Sequence, residues 1–419
     1  MIRALPLADA SLRSIASLAW LLKLSAVGLL CAAVPSVPPS APQAVPAIRA
    51  AASADGAASR RTMRSAGDAR AAARMRAQAE REPVPADERW TARPPSPQRE
   101  TTMHLVMARD TYRRMPDLVR GGEAKRDALG TELMLVEAPA TRLPAVSERI
   151  HAAERRCGGY FAFGTRAEAE AFLREDRSAQ AAKFSPLVRV RYTLDNAATV
   201  DPWLPQVAQD NIRGTIAQLS SYRNRYYAAP TGREAALWIR DTWQGLAAGR
   251  DDASIELIGC GTCSTQPSVV LTIRGSVQPE EIVVLGAHLD SIVIGGNGST
   301  AQYAPGADDD ASGIATLTEV LRIAMASGWR PRRTVKFMGY AAEEVGLRGS
   351  NAIARAHRAQ NARVVAVLQM DMTNYNAGAG VDMRLVTDYS NPALQSFVLQ
   401  LFDTYLAPRG MKRGYDTCG

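Results

Sequence analysis

Cysteine is scarce in this chain: five among 419 residues, at positions 31, 157, 260, 263 and 418. Cys260 and Cys263 form a lone C-x-x-C in CGTC. A zinc knuckle needs a second such pair, and a thioredoxin-like site needs its own βαβ context; neither is visible. If Cys31 leaves with an export signal, four cysteines remain, and a local Cys260–Cys263 disulfide is the plainer reading in an exported protein. Cys157 and Cys418 have no evident partner. Aromatic residues make up only 6% of the chain, and no basic face carries interleaved aromatics. The net charge of +8 is therefore no nucleic-acid signal. Lysine is missing between Arg49 and Arg99, where arginine, acids, alanine and proline mix. Such a composition marks a solvated, low-complexity linker. No internal repeat is present.

What the N-terminus does hold is a charged region with Arg3, Arg13 and Lys23, then the apolar run LSAVGLLCAAV over residues 24–34. Lys23 interrupts any longer apolar stretch, whereas a membrane anchor needs ~20 residues. A charged region followed by a short apolar one is the pattern of a secretory signal. Residues 1–34 are read as that signal and 35–102 as linker. The expected location is secreted or periplasmic, with no membrane contact after signal cleavage. Leu30 is bulky where lipidation at Cys31 would want a small residue.

A compact module follows over 103–190. ELMLVEA (132–138) reads as a strand, LPAVSERIHAAER (143–155) as a helix and GGYFAF (158–163) as a strand. Thr165 with Glu168 forms a capping box for another helix. A second, larger region spans 191–419. In it, Ile212, Ile216, Leu219 and Tyr222 share a helical face, and Thr231 with Glu234 makes a second capping box. Strands at SVVLTIRG, EEIVVLGAHLD, RTVKFMGY, VVAVLQMDM and DMRLVTD alternate with helices near 311–325 and LRGSNAIARAHRAQ. That alternation predicts an α/β fold with a doubly wound, mixed, mostly parallel sheet. Ligands bind beyond the carboxyl ends of such strands.

The chemistry collects at those ends. VVLGAHLDS brings His288 and Asp290; APGADDDASG brings Asp308, Asp309 and Asp310; FMGYAAEE brings Glu343 and Glu344; AVLQMDM brings Asp371. So many carboxylates share one edge only if cations neutralise them, and imidazole with carboxylates suits zinc or another first-row divalent ion. Elsewhere blander readings hold. Gly295, Gly296 and Gly298 have no helix directly after them and read as a loop. His357 sits mid-helix and reads as solvent-facing. His104 and His151 have no ligand-like spacing.

Together GAHLDS, APGADDDASG, YAAEEVGLRGS and LQMDMTNY resemble the two-zinc aminopeptidases of the bacterial leucyl aminopeptidase type, over about residues 195–419. The 103–190 module resembles the propeptide of the same enzymes, a small α+β unit. The resemblance implies a zinc-exopeptidase (phosphorylase/hydrolase-like) fold. It gives His288 and Asp371 to one zinc, Asp309, joined to Asp310 by a cis bond, as the bridge between both ions, and Glu344 to the second zinc. It also makes Glu343 the general base and Asp290 the partner of the free His288 nitrogen. Two ions would share and acidify a water, and the substrate's free α-amine would sit on the second. The implied substrates are peptides with a free N-terminus, with leucine or another large apolar residue first. Met372, Val386 and Cys418 match positions on the pocket wall. A monomer is expected.

The family pattern also has a further histidine ligand and a partner cysteine after DTCG, where this sequence stops. The expectation is a precursor lacking its C-terminal end, with a feeble second zinc site. Alternatives are a glutaminyl cyclase-like transferase with one zinc, which the intact EEVGLRGS and GADDDASG segments disfavour, and an inactive remnant that only binds.

Overall fold

Apolar residues alternate along the strands of the 191–419 region, and that alternation sorts them onto two faces. Val269, Leu271 and Ile273 enter one core, with Leu285, Ala287, Val335, Phe337 and Leu368. Val270, Val284, Met338, Tyr340 and Val367 point the other way. A sheet buried on both faces needs helices on both, and it has them.

The computed structural model describes residues 23–24, 101–126, 132–154, 159–181, 192–263, 265–293, 300–375, 380–387 and 390–416. All of these lie in one compact unit spanning 1–35 and 100–419. Most of the linker segment, most of the apolar N-terminal run, Cys31, Cys157, Cys418 and Gly295, Gly296 and Gly298 lie outside the described residues.

In chain order the strands are β1 (Lys23–Leu24), β2 (Thr102–Ala108), β3 (Arg120–Arg126), β4 (Glu132–Pro139), β5 (Tyr160–Phe163), β6 (Ala253–Ile258), β7 (Ser268–Ile273), β8 (Gln278–His288), β9 (Arg333–Tyr340), β10 (Arg363–Gln369), β11 (Met383–Val386) and β12 (Arg413–Asp416). The helices are α1 (Arg109–Arg113), α2 (Leu143–Glu154), α3 (Arg166–Ala181), α4 (Ala197–Trp203), α5 (Gln209–Ser220), α6 (Pro230–Leu246), α7 (Ala311–Ala326), α8 (Arg348–Ala359) and α9 (Pro392–Tyr405). Among the described residues no helix is long and apolar enough to cross a membrane.

The central sheet has the order β10-β8-β9-β7-β6. β10, β8 and β9 run parallel, and β7 and β6 join antiparallel. This is the mixed, doubly wound sheet that the sequence predicts. The DMRLVTD strand, however, is β11 of a separate three-stranded sheet with β1 and β12. Helix α7 is buried along most of its length, from Ala311 to Ala324, which fits its nearly uninterrupted apolar sequence. Asp310 caps it, accepting from the Gly313 N–H at 2.8 Å.

The N-terminal module is a four-stranded antiparallel sheet, β3-β4-β2-β5, with α2 and α3. The Thr165–Glu168 box forms in both directions, at 3.1 and 3.2 Å. The second expected box does not form. Pro230 is the first residue of α6, Ala229 precedes it without a side-chain cap, and Thr231 faces Asn224 instead. Cys260 and Cys263 are bonded to each other.

The module shares a core with the 191–419 region. Met103, Leu105, Val146 and Tyr160 lie in one buried cluster with Tyr226, Tyr227, Ala341, Ala342 and Val345.

Candidate metal centre

Because β8, β9 and β10 are parallel, their carboxyl ends fall on one edge. β8 ends on His288, with Asp290 two residues on. Glu343 and Glu344 follow β9 in the turn before α8. Asp371 comes two residues after β10, and Asp309 and Asp310 stand at the start of α7. The Asp309–Asp310 bond is cis, as the resemblance implies.

The side chains converge. His288 Nε2 is 2.8 Å from Asp309 Oδ1 and 3.8 Å from Asp371 Oδ2. One ligand atom from each of these three residues lies within 4.8 Å of the other two. Glu344 is buried but stands outside that tight group. Asp290 Oδ1 is 3.4 Å from His288 Nδ1, in ion-pair range but without hydrogen-bond geometry.

Asp290 has a second task that the sequence did not announce. Its two carboxylate oxygens accept the backbone N–H groups of Glu343, at 2.9 Å, and Glu344, at 3.2 Å. Asp310 is a similar clamp, accepting from the amides of His288, Gly313 and Met372 at 3.1, 2.8 and 3.2 Å. It ties together β8, α7 and the segment after β10. Asp308 accepts from Asn374 and Tyr375 at 2.9 and 3.0 Å.

Arg225 lies beneath the cluster, wholly buried. Its guanidinium donates to the carbonyls of Leu289 at 3.0 Å, Leu219 at 3.2 Å, Pro305, and Gly306 at 2.9 Å. Burial pushes its pKa down to about 10, while Asp310, Asp290, Asp309 and Glu344 pull the other way. Arg225 therefore stays charged at neutral pH and supplies part of the counter-charge. The sequence reading assigned that role to metal alone; nothing in SYRNRYY shows that its second arginine runs inward.

One arginine does not balance the cluster. Burial raises Asp310, with Asp371 adding to the shift. Burial also raises Glu343, with His288 opposing and Asp371 adding. Burial raises Glu344, and Asp309 and Glu343 push it further. For His288, burial is outweighed by Asp371, Asp290 and Asp309, which hold it well above its ordinary value. Glu343 Oε1 is buried without a hydrogen-bond partner. Imidazole, several carboxylates and an excess of buried acid are the donor set of a zinc-type divalent ion, and the residues fit that group.

Of the expected pocket residues, Met372 is half-buried with φ 46°. Val386, at the end of β11, is half-buried in a shallow cleft with Leu368, Gln369 and Leu394. Cys418 lies outside the described residues. His357 is not solvent-facing: it is half-buried, with Nδ1 2.9 Å from the Ile353 carbonyl, because Ile353 and its helix face turn inward. His151, for which the sequence suggested no role, lies within electrostatic reach of Asp309.

Residues 268–414 match the family model described as Peptidase family M28. That stretch contains His288, Asp290, Asp309, Glu343, Glu344 and Asp371. The chain is 36% identical over 221 residues to a probable leucine aminopeptidase of Arthroderma benhamiae, covering 52% of this chain and 58% of that one. It is 31% identical over 242 residues to leucine aminopeptidase 1 of Arthroderma otae, covering 55% of this chain and 64% of the other. The matches thus span about three-fifths of these relatives' lengths. Among solved structures, the LapA aminopeptidase of Legionella pneumophila superposes with a TM-score of 0.62 at 25% identity, covering 76% of this chain and 81% of that one. LapB of the same organism gives 0.62 at 27%, covering 76% and 82%. The fold is that of zinc exopeptidases.

Proposed function

We propose that this protein is a zinc-dependent aminopeptidase, made as an exported precursor, that removes the first residue of peptides with a free N-terminus. The observation that carries the reading is the His288–Asp309–Asp371 group beside Glu343, whose Oε1 is buried and unpaired. The similarity to leucine aminopeptidases supports it. A large apolar first residue, leucine above all, is the substrate side chain proposed.

His288, Asp309 and Asp371 would hold one ion, and Asp309 with Glu344 would hold a second. When bound, zinc supplies Lewis acidity, polarising a carbonyl and acidifying water. Glu343 is the group placed to move protons. Its Oε1 is free to accept a proton from the attacking water and return it to the departing amine, and a carboxyl raised by burial is tuned toward that exchange. Asp290 fixes the Glu343–Glu344 backbone, so base and ligand are held by one carboxylate. Arg225 and Asp310 keep the three ligand-bearing segments in register beneath.

Metal analysis together with turnover of leucyl-p-nitroanilide and its N-acetylated counterpart tests the reading. Zinc-dependent cleavage of the free-amine substrate alone is expected. Cleavage of both, or of neither by zinc-loaded protein, overturns it.

A further inference from the structure

Asp290 holds the amides of Glu343 and Glu344, and the two amides before them are held in the same manner. The Ala341 N–H donates to Ser268 Oγ at 3.0 Å, and the Ala342 N–H to Gln266 Oε1 at 3.1 Å. Four consecutive backbone N–H groups after β9 therefore go to side-chain oxygens. Buried amides must find an acceptor, and here each acceptor also fixes the course of the loop. Ala342 is the sensitive position. It is fully buried and left-handed, with φ 52°. A residue with a Cβ keeps that conformation only where its surroundings impose it. Glu343 comes next in the chain, so a turn of the Ala342 backbone would swing its carboxylate.

Gln266 supplies the constraint. It is buried, and its whole carboxamide is engaged: Nε2 donates to the carbonyls of Arg225 at 2.9 Å and Gly232 at 3.2 Å, while Oε1 takes the Ala342 N–H. Two carbonyls on one side and an N–H on the other admit only this orientation of the amide. The guanidinium of the same Arg225 braces carbonyls beneath the acid cluster, so Gln266 ties the Glu343 loop to that brace. The backbone of Gln266 is anchored in turn. Its N–H donates to the Cys263 carbonyl at 3.2 Å, and the Cys263 N–H to the Cys260 carbonyl at 3.0 Å, in the turn that the Cys260–Cys263 disulfide closes. That turn also grips the far end of the loop. Arg348 donates to the Thr262 carbonyl at 2.6 Å and to the Val345 carbonyl at 3.0 Å.

We propose that Gln266 is a positioning residue for the reaction: it aims Glu343 by holding Ala342 left-handed, and the Cys260–Cys263 turn keeps Gln266 in place. The inference rests on Glu343 being the general base, as proposed above. It gives the lone C-x-x-C a task at the site, as the anchor of the loop rather than as a metal or redox centre.

Gln266→Met keeps the length of the side chain and removes all three of its hydrogen bonds. At saturating Zn²⁺ it should lower kcat for leucyl-p-nitroanilide about 10–100-fold, the scale for a reacting group displaced by ~1 Å, with KM and zinc content kept. In a Glu343→Gln background the same substitution should lower kcat no further, because the group it aims is gone. An equal loss in both backgrounds, or a wild-type kcat in the single variant, overturns the proposal. A second readout needs no turnover. Hydrogen exchange of the metal-free protein, read by mass spectrometry, should quicken about 10-fold over residues 341–344 in Gln266→Met, the scale of one lost hydrogen bond, while β7 and β8 keep wild-type protection. Unchanged exchange over 341–344 also overturns the proposal. Should Gln266→Met not fold, Gln266→Asn is read by the same outcomes, since its carboxamide sits on a stem one methylene too short to bridge both sides. Wild type that binds zinc yet cleaves nothing would overturn the aminopeptidase reading, and the inference with it. A cleaving wild type beside an unaffected Gln266→Met overturns the inference alone.

Discussion

Asp290 accepts the backbone N–H of Glu343 at 2.9 Å, and its other carboxylate oxygen accepts that of Glu344 at 3.2 Å. One buried carboxylate thus faces His288 on one side and fixes the Glu343–Glu344 loop on the other. Asp290→Asn keeps the shape but removes the charge and one of the acceptors. It should lower kcat/KM by about 10–100-fold and weaken zinc binding over a similar range. Activity and metal affinity close to wild type would show that the clamp is dispensable.

Arg225 should matter for stability. Its replacement by Met removes a buried cation from beneath four acids and leaves the carbonyls of Leu289, Leu219, Pro305 and Gly306 without their donor. Breaking a buried charge network in this way costs about 3–5 kcal/mol. Arg225→Lys should recover little, because an ammonium lacks the planar fork that reaches several carbonyls at once. Denaturant unfolding with excess zinc would measure both, and a loss below about 1 kcal/mol in Arg225→Met would contradict the role.

The three parallel strand ends were legible because each is a run of β-branched and apolar residues that stops abruptly at His or acid. The fold class followed from the same runs. The module was only half legible. β3, RGGEAKR, is exposed at nearly every position, so it carries no apolar alternation and gave no strand signal. Asp310 and Arg225 escaped for another reason. Most of their partners are backbone groups 22 to 81 residues away, and sequence spacing says nothing about a contact to a distant carbonyl or amide. Thr231–Glu234 had the right letters for a cap, but Pro230 had already begun the helix.

Removal of metal should give the protein a falling stability as pH rises. Asp310, Glu343, Glu344 and His288 all have folded pKa values above their ordinary ones. The folded state therefore binds more protons than the unfolded one between the ordinary and raised values, and stability declines as pH rises through that window. Asp309, held low by His288 against burial, opposes this only in part. Melting of EDTA-treated protein should drop from about pH 5 toward pH 8, a window above the ordinary carboxyl values and across the imidazole one, and added zinc should flatten the slope. A metal-free melting temperature that climbs with pH would contradict the charge accounting.

We propose the 103–190 module as a removable propeptide, and its shared core bears on how it leaves. A single cut engineered between residues 182 and 191 should not by itself separate the pieces, because Met103, Leu105, Val146 and Tyr160 are buried with Tyr226, Ala341 and Val345. Size-exclusion chromatography of the nicked protein should show co-elution, with separation only after the module is further degraded or denaturant is added. Immediate separation in buffer would mean that the interface is weak.

We propose that Glu343 moves the proton while His288, Asp309, Glu344 and Asp371 hold metal. Glu343→Gln, measured for zinc content and leucyl-p-nitroanilide turnover on the same preparation, tests it most directly. Turnover should fall at least about 10²–10⁴-fold, as when a general base is lost, with zinc content unchanged. Loss of a zinc equivalent, or turnover near wild type with zinc retained, would contradict the assignment.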